Sequence, residues 1–202
     1  AYLTDLSVTL SGSGSSGLGG ATAGPSNPIT GTFANIDVLT IHDGGTDDTL
    51  IGANNDASWA IDGTGNYTDV VGGQDLDFTG VENLTGGSDD DNFAFASGAT
   101  LSGDIDGGAG GDSITQADGT NTFTVDETDG GTMTADLGGR FANVENLTGG
   151  TGEDTFTLAG GTLSGSVDGG AGGTDTLNLD DNINAVVVNA GMQALRNGKY
   201  MV

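Results

Sequence analysis

Hydrophobic and polar residues alternate along much of this chain in short strings. In TFTV at 122–125, NFAF at 92–95 and TFTL at 155–158 the apolar side chains stand two residues apart. That is the spacing of a strand with one buried face, not the three-to-four spacing of a helix. Clusters rich in Gly, Asp and Asn separate the strings, and these are turn chemistry. The pattern predicts an all-β chain of short strands.

The strings also recur. FTGVENLTGG at 78–87 returns as FANVENLTGG at 141–150, an offset of 63 residues, and a weaker copy, FANIDVLT, lies at 33–40. Downstream, ATLSGDIDGGAGG at 99–111 returns as GTLSGSVDGGAGG at 161–173. Glycine pairs beginning at Gly44, Gly86, Gly107, Gly149 and Gly169 divide this unit at intervals of 42, 21, 42 and 20 residues, so the finer period is 21. Cut on that period, the chain has seven rungs, starting at Gly44, Gly65, Gly86, Gly107, Thr128, Gly149 and Gly169. Phe93, Ile114 and Phe156 then take equivalent inward positions, with Phe93 and Ile114 in contact across neighbouring rungs.

A unit of this size cannot bury its apolar side alone, but stacked at the strand spacing of about 4.8 Å it builds a continuous core. The expected fold is an all-β, right-handed parallel β-helix (β-solenoid) of about 21 residues per rung. The competing reading, a β-sandwich, predicts no 21-residue alignment. Residues 1–32 read as an N-terminal strand and a Gly/Ser-rich irregular rung holding both prolines, Pro25 and Pro28. Residues 33–181 read as the solenoid repeats. Residues 182–202, where the Gly-Asp pattern stops, read as a C-terminal cap or assembly segment, with AGMQALRNG at 190–198 as one or two helical turns closed by Gly198. Beginning at Ala1, the chain reads as processed or excised.

Charge narrows the functional classes. Against 29 acidic residues stand three cations, Arg140, Arg196 and Lys199, for a formal net charge of −26. Nothing is left to neutralise phosphates, which excludes nucleic acid and anionic membranes as partners. No apolar run approaches the roughly 18 residues of a membrane span, so no membrane insertion is expected. Without Cys there is no disulfide framework, thiolate metal site or thiol nucleophile. Of the 29 acids 25 are Asp, the residue of turns and of oxygen-ligand metal sites.

Single residues read modestly. His42 reads as a polar turn residue, Trp59 as core near the column of Phe123, and Arg140 as a surface ion-pair partner. Asn83 and Asn146, in the two VENLT copies, read as a ladder bonding backbone at a turn.

GGTGEDTFT at 149–157 and GGAGGDSIT at 107–115 fit the nonapeptide G-G-x-G-x-D-x-apolar-x, and this resembles the hemolysin-type (RTX-like) calcium-binding repeats. Over most of residues 33–179 the chain is similar to the FxNVENLTGGxGxDTFxL and LSGxIDGGAGxDTL repeats of very large secreted bacterial surface proteins of adhesin type. The resemblance implies a secreted, extracellular, cell-surface β-solenoid with structural calcium.

The chain departs from the nonapeptide in three places. Asp89 stands where the third glycine belongs, GGTDDTLI at 44–51 is one residue short, and GGAGGTDTL at 169–177 is one long. Calcium takes six to eight oxygens, so a site needs loops on adjacent rungs. Only two aspartate pairs meet that condition, Asp91 over Asp112 and Asp154 over Asp175, and these four are the candidate metal ligands. The plain alternative is turn chemistry, with Gly at positive φ and Asp bonding its own backbone. Asp47, Asp48, Asp89 and Asp90 are weaker candidates for metal, since runs of acids usually read as solvated surface.

Catalysis is not expected. A polysaccharide lyase needs a base beside its substrate carboxylate, and only Arg140 lies within the repeats; no Ser-His-Asp set surrounds His42. An active site is a unique constellation, whereas the acids here come in repeated copies.

The expectation is a structural β-solenoid in a bacterial surface adhesin or matrix filament, stabilised by calcium. It would stack head-to-tail on itself or continue into flanking repeats of a longer chain. The apolar strings YLTDLSVTL at 2–10 and KYMV at 199–202 would be the exposed edges. The alternative is a calcium-dependent carbohydrate or cell-surface binding module with surface polysaccharide as partner.

Overall fold

The computed structural model describes residues 5–24, 28–42, 47–134, 136–179, 192–196 and 199–201. Among them there is no helix. The chain begins with an antiparallel triplet, β1 (Ser7–Ser13), β2 (Leu18–Ala23) and β3 (Thr32–Ile36), followed by two single strands, β4 (Val38–Thr40) and β5 (Thr49–Ile51). A second triplet follows, β6 (Ala57–Ile61), β7 (Gly65–Asp69) and β8 (Gln74–Thr79). Four single strands come next: β9 (Asn83–Gly87), β10 (Asp91–Phe95), β11 (Ile105–Gly108) and β12 (Ser113–Gln116). The third triplet is β13 (Thr122–Glu127), β14 (Gly130–Met133) and β15 (Phe141–Ala142). After it come β16 (Asn146–Thr148), β17 (Thr155–Leu158), β18 (Val167–Asp168), β19 (Asp175–Leu179), β20 (Met192–Arg196) and β21 (Lys199–Met201).

These strands form two mixed sheets. One has 13 strands in the order β21-β20-β19-β17-β13-β14-β15-β11-β9-β5-β1-β2-β3; the other has eight, in the order β18-β16-β12-β10-β6-β7-β8-β4. From β3 to β19 the chain alternates between the sheets, staying in one only for the length of a triplet. Inward residues of both sheets belong to a single apolar cluster.

The 21-residue period is present as parallel register between several single-strand rungs: Leu84 pairs with Ile105, Phe93 with Ile114 and Phe156 with Leu177, while Leu147 pairs with Val167 and Leu177 with Ala194 at shorter separations. Across the second and third triplets about a dozen residues more separate the partners, as in Trp59 with Phe93, Ile114 with Leu147 and Phe123 with Phe156, and across the first still more, as in Val8 with Leu50. Uniform parallel rungs are therefore not what forms, because each hairpin excursion adds antiparallel strands to a sheet.

One expected column is corrected by the same fact. Phe93 and Ile114 are neighbours, and their column runs Trp59, Phe93, Ile114, Leu147, Val167 in the eight-stranded sheet. Phe156 is fully buried but in the other sheet, stacked on Phe123 with ring centroids 4.8 Å apart. Between Phe93 and Phe156 the chain crosses an odd number of times, so the two VENLT copies lie in opposite sheets: β9 in the large one and β16 in the small. Their local geometry agrees nonetheless. Asn35, Gly80 and Asn143, equivalent in the three copies, all have positive φ, at 56°, 72° and 51°. Gly and Asn tolerate that region best.

The termini also differ from expectation. The Gly/Ser-rich segment 11–29 contains the end of β1 and all of β2. Strand β1 is no edge, for it lies between β2 and β5. Met192–Arg196 is a strand, not a helical turn, and pairs in parallel with β19, while β21 folds back antiparallel on β20. Tyr2, Pro25, Gly198 and Val202 lie outside the described residues.

Candidate functional site: a buried aspartate ladder

A strand that enters a sheet after a turn brings a first N–H that needs an acceptor. In this chain carboxylates supply it. Asp91, Asp112, Asp154 and Asp175, at or just before the starts of β10, β12, β17 and β19, are only 2%, 0%, 0% and 3% exposed. The anticipated pairs do meet, one rung apart. Asp112 Oδ1 accepts the Asp91 N–H at 2.8 Å, and Asp175 Oδ1 accepts the Asp154 N–H at 3.0 Å.

The first pair continues in both directions and the second in one. Asp91 Oδ1 accepts the Trp59 indole N–H at 3.0 Å, while Asp154 Oδ1 accepts from both the backbone and the side chain of Asn121. At the other end the Asp112 N–H donates to Glu145 Oε2 at 2.6 Å. A third copy has Asp48 Oδ1 accepting the Leu6 N–H, and the Asp48 N–H donating to Glu82 Oε2. Asp48 is therefore 1% exposed and not a surface acid, whereas Asp47, Asp89 and Asp90 are exposed. Beside the ladder, Asn83 and Asn146 bond backbone on both sides. Their Nδ2 groups reach the carbonyls of Asp48 and Asp112, and their Oδ1 atoms accept the N–H groups of Asp104 and Ser166.

The glycine pairs have two separate purposes. A Cβ on Gly86, Gly107, Gly149 or Gly169 would fall within 2.6 Å of Oδ2 of the aspartate that follows it, so the first glycine makes room for a carboxylate. In three of the four pairs the second glycine serves the turn: Gly108, Gly150 and Gly170 have φ of 95°, 98° and 83°.

Burial has an electrostatic consequence, since it disfavours the charged form. The Asp91 carboxyl is pushed up to about 6 by burial, against the Trp59 hydrogen bond. That of Asp112 is pushed up to about 7 by burial, with the charges of Asp91, Glu145 and Asp90 adding to the effect and the Asp91 N–H opposing it. Burial raises Asp154 as well. The Oδ2 atoms of Asp91, Asp112 and Asp154 are buried with no hydrogen-bond partner.

One oxygen of each carboxylate is committed to an N–H donor, and the other lies over a glycine. Among the described residues no three His, Asp or Glu side chains are gathered where they could share an ion. What Asp91, Asp112, Asp154 and Asp175 hold is the backbone and side-chain N–H groups of the rung beside them.

The other singled-out residues fall into place simply. Trp59 is core, as expected, but not in the column of Phe123, which lies in the other sheet: it is fully buried, stacked on Phe93 and edge-on to Tyr67. His42 is exposed. Arg140 pairs at the surface with Asp126 and Glu127. Sequence reasoning passed over Glu82, Glu145 and Asn121. The signal for the glutamates was present, since both stand in VENLT, 34 and 33 residues after Asp48 and Asp112. No family model, curated protein or solved structure matches this chain.

Proposed function

We propose that this chain is a structural, non-catalytic module of an extracellular bacterial surface adhesin or matrix filament, a right-handed β-solenoid whose rungs carry hairpin outgrowths. The observation that carries the reading is the ladder itself. The acids that recur with the repeat bond backbone from rung to rung, which is what a load-carrying rod needs and what a substrate site does not. Stacked repeats support one another through neighbour contacts alone, so such a rod can be lengthened without changing its design. The aspartates give it the rigidity for which the resemblance implied calcium.

Electron microscopy of the purified chain should show short rods. The test against a binding module is thermal melting with a panel of surface polysaccharides. A structural rod melts at the same temperature with and without them, whereas a binding module is stabilised by mass action. A rise of several degrees with any one sugar would overturn the reading.

A further inference from the structure

The first copy of the repeat, at 33–40, is built like the other two but lacks their cover. Strand β9 lies between β5 and β11, and β16 lies between β12 and β18. Among the described residues their counterpart β4 has only β8 beside it, and β3, just before it in the chain, has only β2. At this one end of the stack the described parts of both sheets thus stop on consecutive strands of the chain.

The side chains record the missing rung. Leu84 and Leu147 are sealed, at 1% exposure, and Phe78 and Phe141 are buried, while the equivalent Leu39 and Phe33 are only partly buried. Where the covered copies have Asn83 and Asn146, each donating to a carbonyl of the preceding rung, the first copy has Val38, 62% exposed. Proteins usually blunt an open edge with charge, proline or a bulge. Neither β3 (TFANI) nor β4 (VLT) contains Lys, Arg or Pro.

We infer that the β3–β4 edge is a docking surface for a second copy of this chain, which adds its C-terminal end there, head to tail. The inference rests on the filament reading above and deepens it by naming the contact. Strand direction favours this occupant. In the eight-stranded sheet every described strand but β7 runs the same way, so the partner's β18, the last described strand of that sheet, would meet β4 in the parallel sense already used between β16 and β18. A head-to-tail contact of this kind does not close on itself and propagates into a filament.

The test is sedimentation velocity and negative-stain microscopy of the purified chain over rising protein and NaCl concentration, since salt screens the repulsion between acidic copies. Wild type should form linear oligomers that lengthen with both. Val38→Lys should stay monomeric with its melting temperature unchanged, and Val71→Lys, at an exposed position outside the β3–β4 edge, should assemble like wild type. Filaments from Val38→Lys, or loss of assembly in Val71→Lys as well, would overturn the inference. So would a wild type that stays monomeric throughout, which would assign the edge to flanking residues of a longer chain. That result leaves the rod reading standing, because the polysaccharide melting test decides it separately.

Discussion

Asp91 and Asp112, with the other buried aspartates of the ladder, put proton-binding groups inside a chain that keeps most of its acids in water. A carboxyl whose folded pKa lies above its unfolded value holds its proton more tightly when folded. Its contribution to stability is therefore complete below about pH 4 and is lost as pH rises through about 6 for Asp91 and about 7 for Asp112. Thermal melts should show stability falling between pH 4 and pH 8. Asp112→Asn keeps an oxygen to accept the Asp91 N–H but cannot ionise, so its melting temperature should fall less over that range. An equally steep fall in the variant would remove Asp112 from the account. Asp112→Ala, which strands the Asp91 N–H, should cost about 1–3 kcal/mol in urea denaturation. Gly86 tests the other half of the arrangement. Its φ is not in the left-handed region, yet a Cβ there would strike both the Asp91 carboxylate and the Gly107 carbonyl. Gly86→Ala should therefore cost about 1–3 kcal/mol through overpacking alone, and an unchanged urea midpoint would refute the close-approach explanation.

At the scale of elements, the antiparallel triplets decide how the repeats are distributed. A single strand crosses from one sheet to the other and hands on the 21-residue register, whereas a triplet holds the chain in its sheet for two further strands. The triplets themselves alternate, in the large sheet, the small and the large again. Equivalent side chains therefore make equivalent contacts in different sheets: Trp59 stacks on Phe93 in one, Phe123 on Phe156 in the other. Phe156 is held between Phe123 and Leu177 in register. Truncation to Ala should cost about 3–5 kcal/mol, the usual loss for a fully buried Phe. Urea titration checks this, and a loss below about 1 kcal/mol would mean that the column does not bear on stability.

At the scale of the whole molecule, a formal charge of −26 on 202 residues is set against a rigid backbone framework. Like charges at this density oppose the compact state, so added salt should raise the melting temperature. The effect should follow ionic strength and not the identity of the cation, because no described cluster of acids suits a divalent ion. Melting curves with a calcium chelator and with calcium, at matched ionic strength, should superimpose. A calcium-specific rise would restore the metal to the ladder.

All-β character, the 21-residue register and the pairing of Asp91 with Asp112 and Asp154 with Asp175 were legible in the chain itself. Each depends on near-neighbour periodicity: side chains two apart share a face, and identical turns recur one rung on. The burial of Asp48 was not legible, because an acid in the run Asp47-Asp48 looks solvated until Leu6 arrives from 42 residues away with an N–H to satisfy. Nor was the sheet to which each copy belongs. An inward Leu reads the same in Leu84 and Leu147, and only the number of crossings between them, set by where the hairpins fold back, puts them on opposite sides of the core. The open edge follows the same logic. The first strand of the chain is drawn between β2 and β5, where both its backbone edges are paired. The exposed end passes to β3 and β4, a choice made by long-range strand pairing that no local pattern encodes.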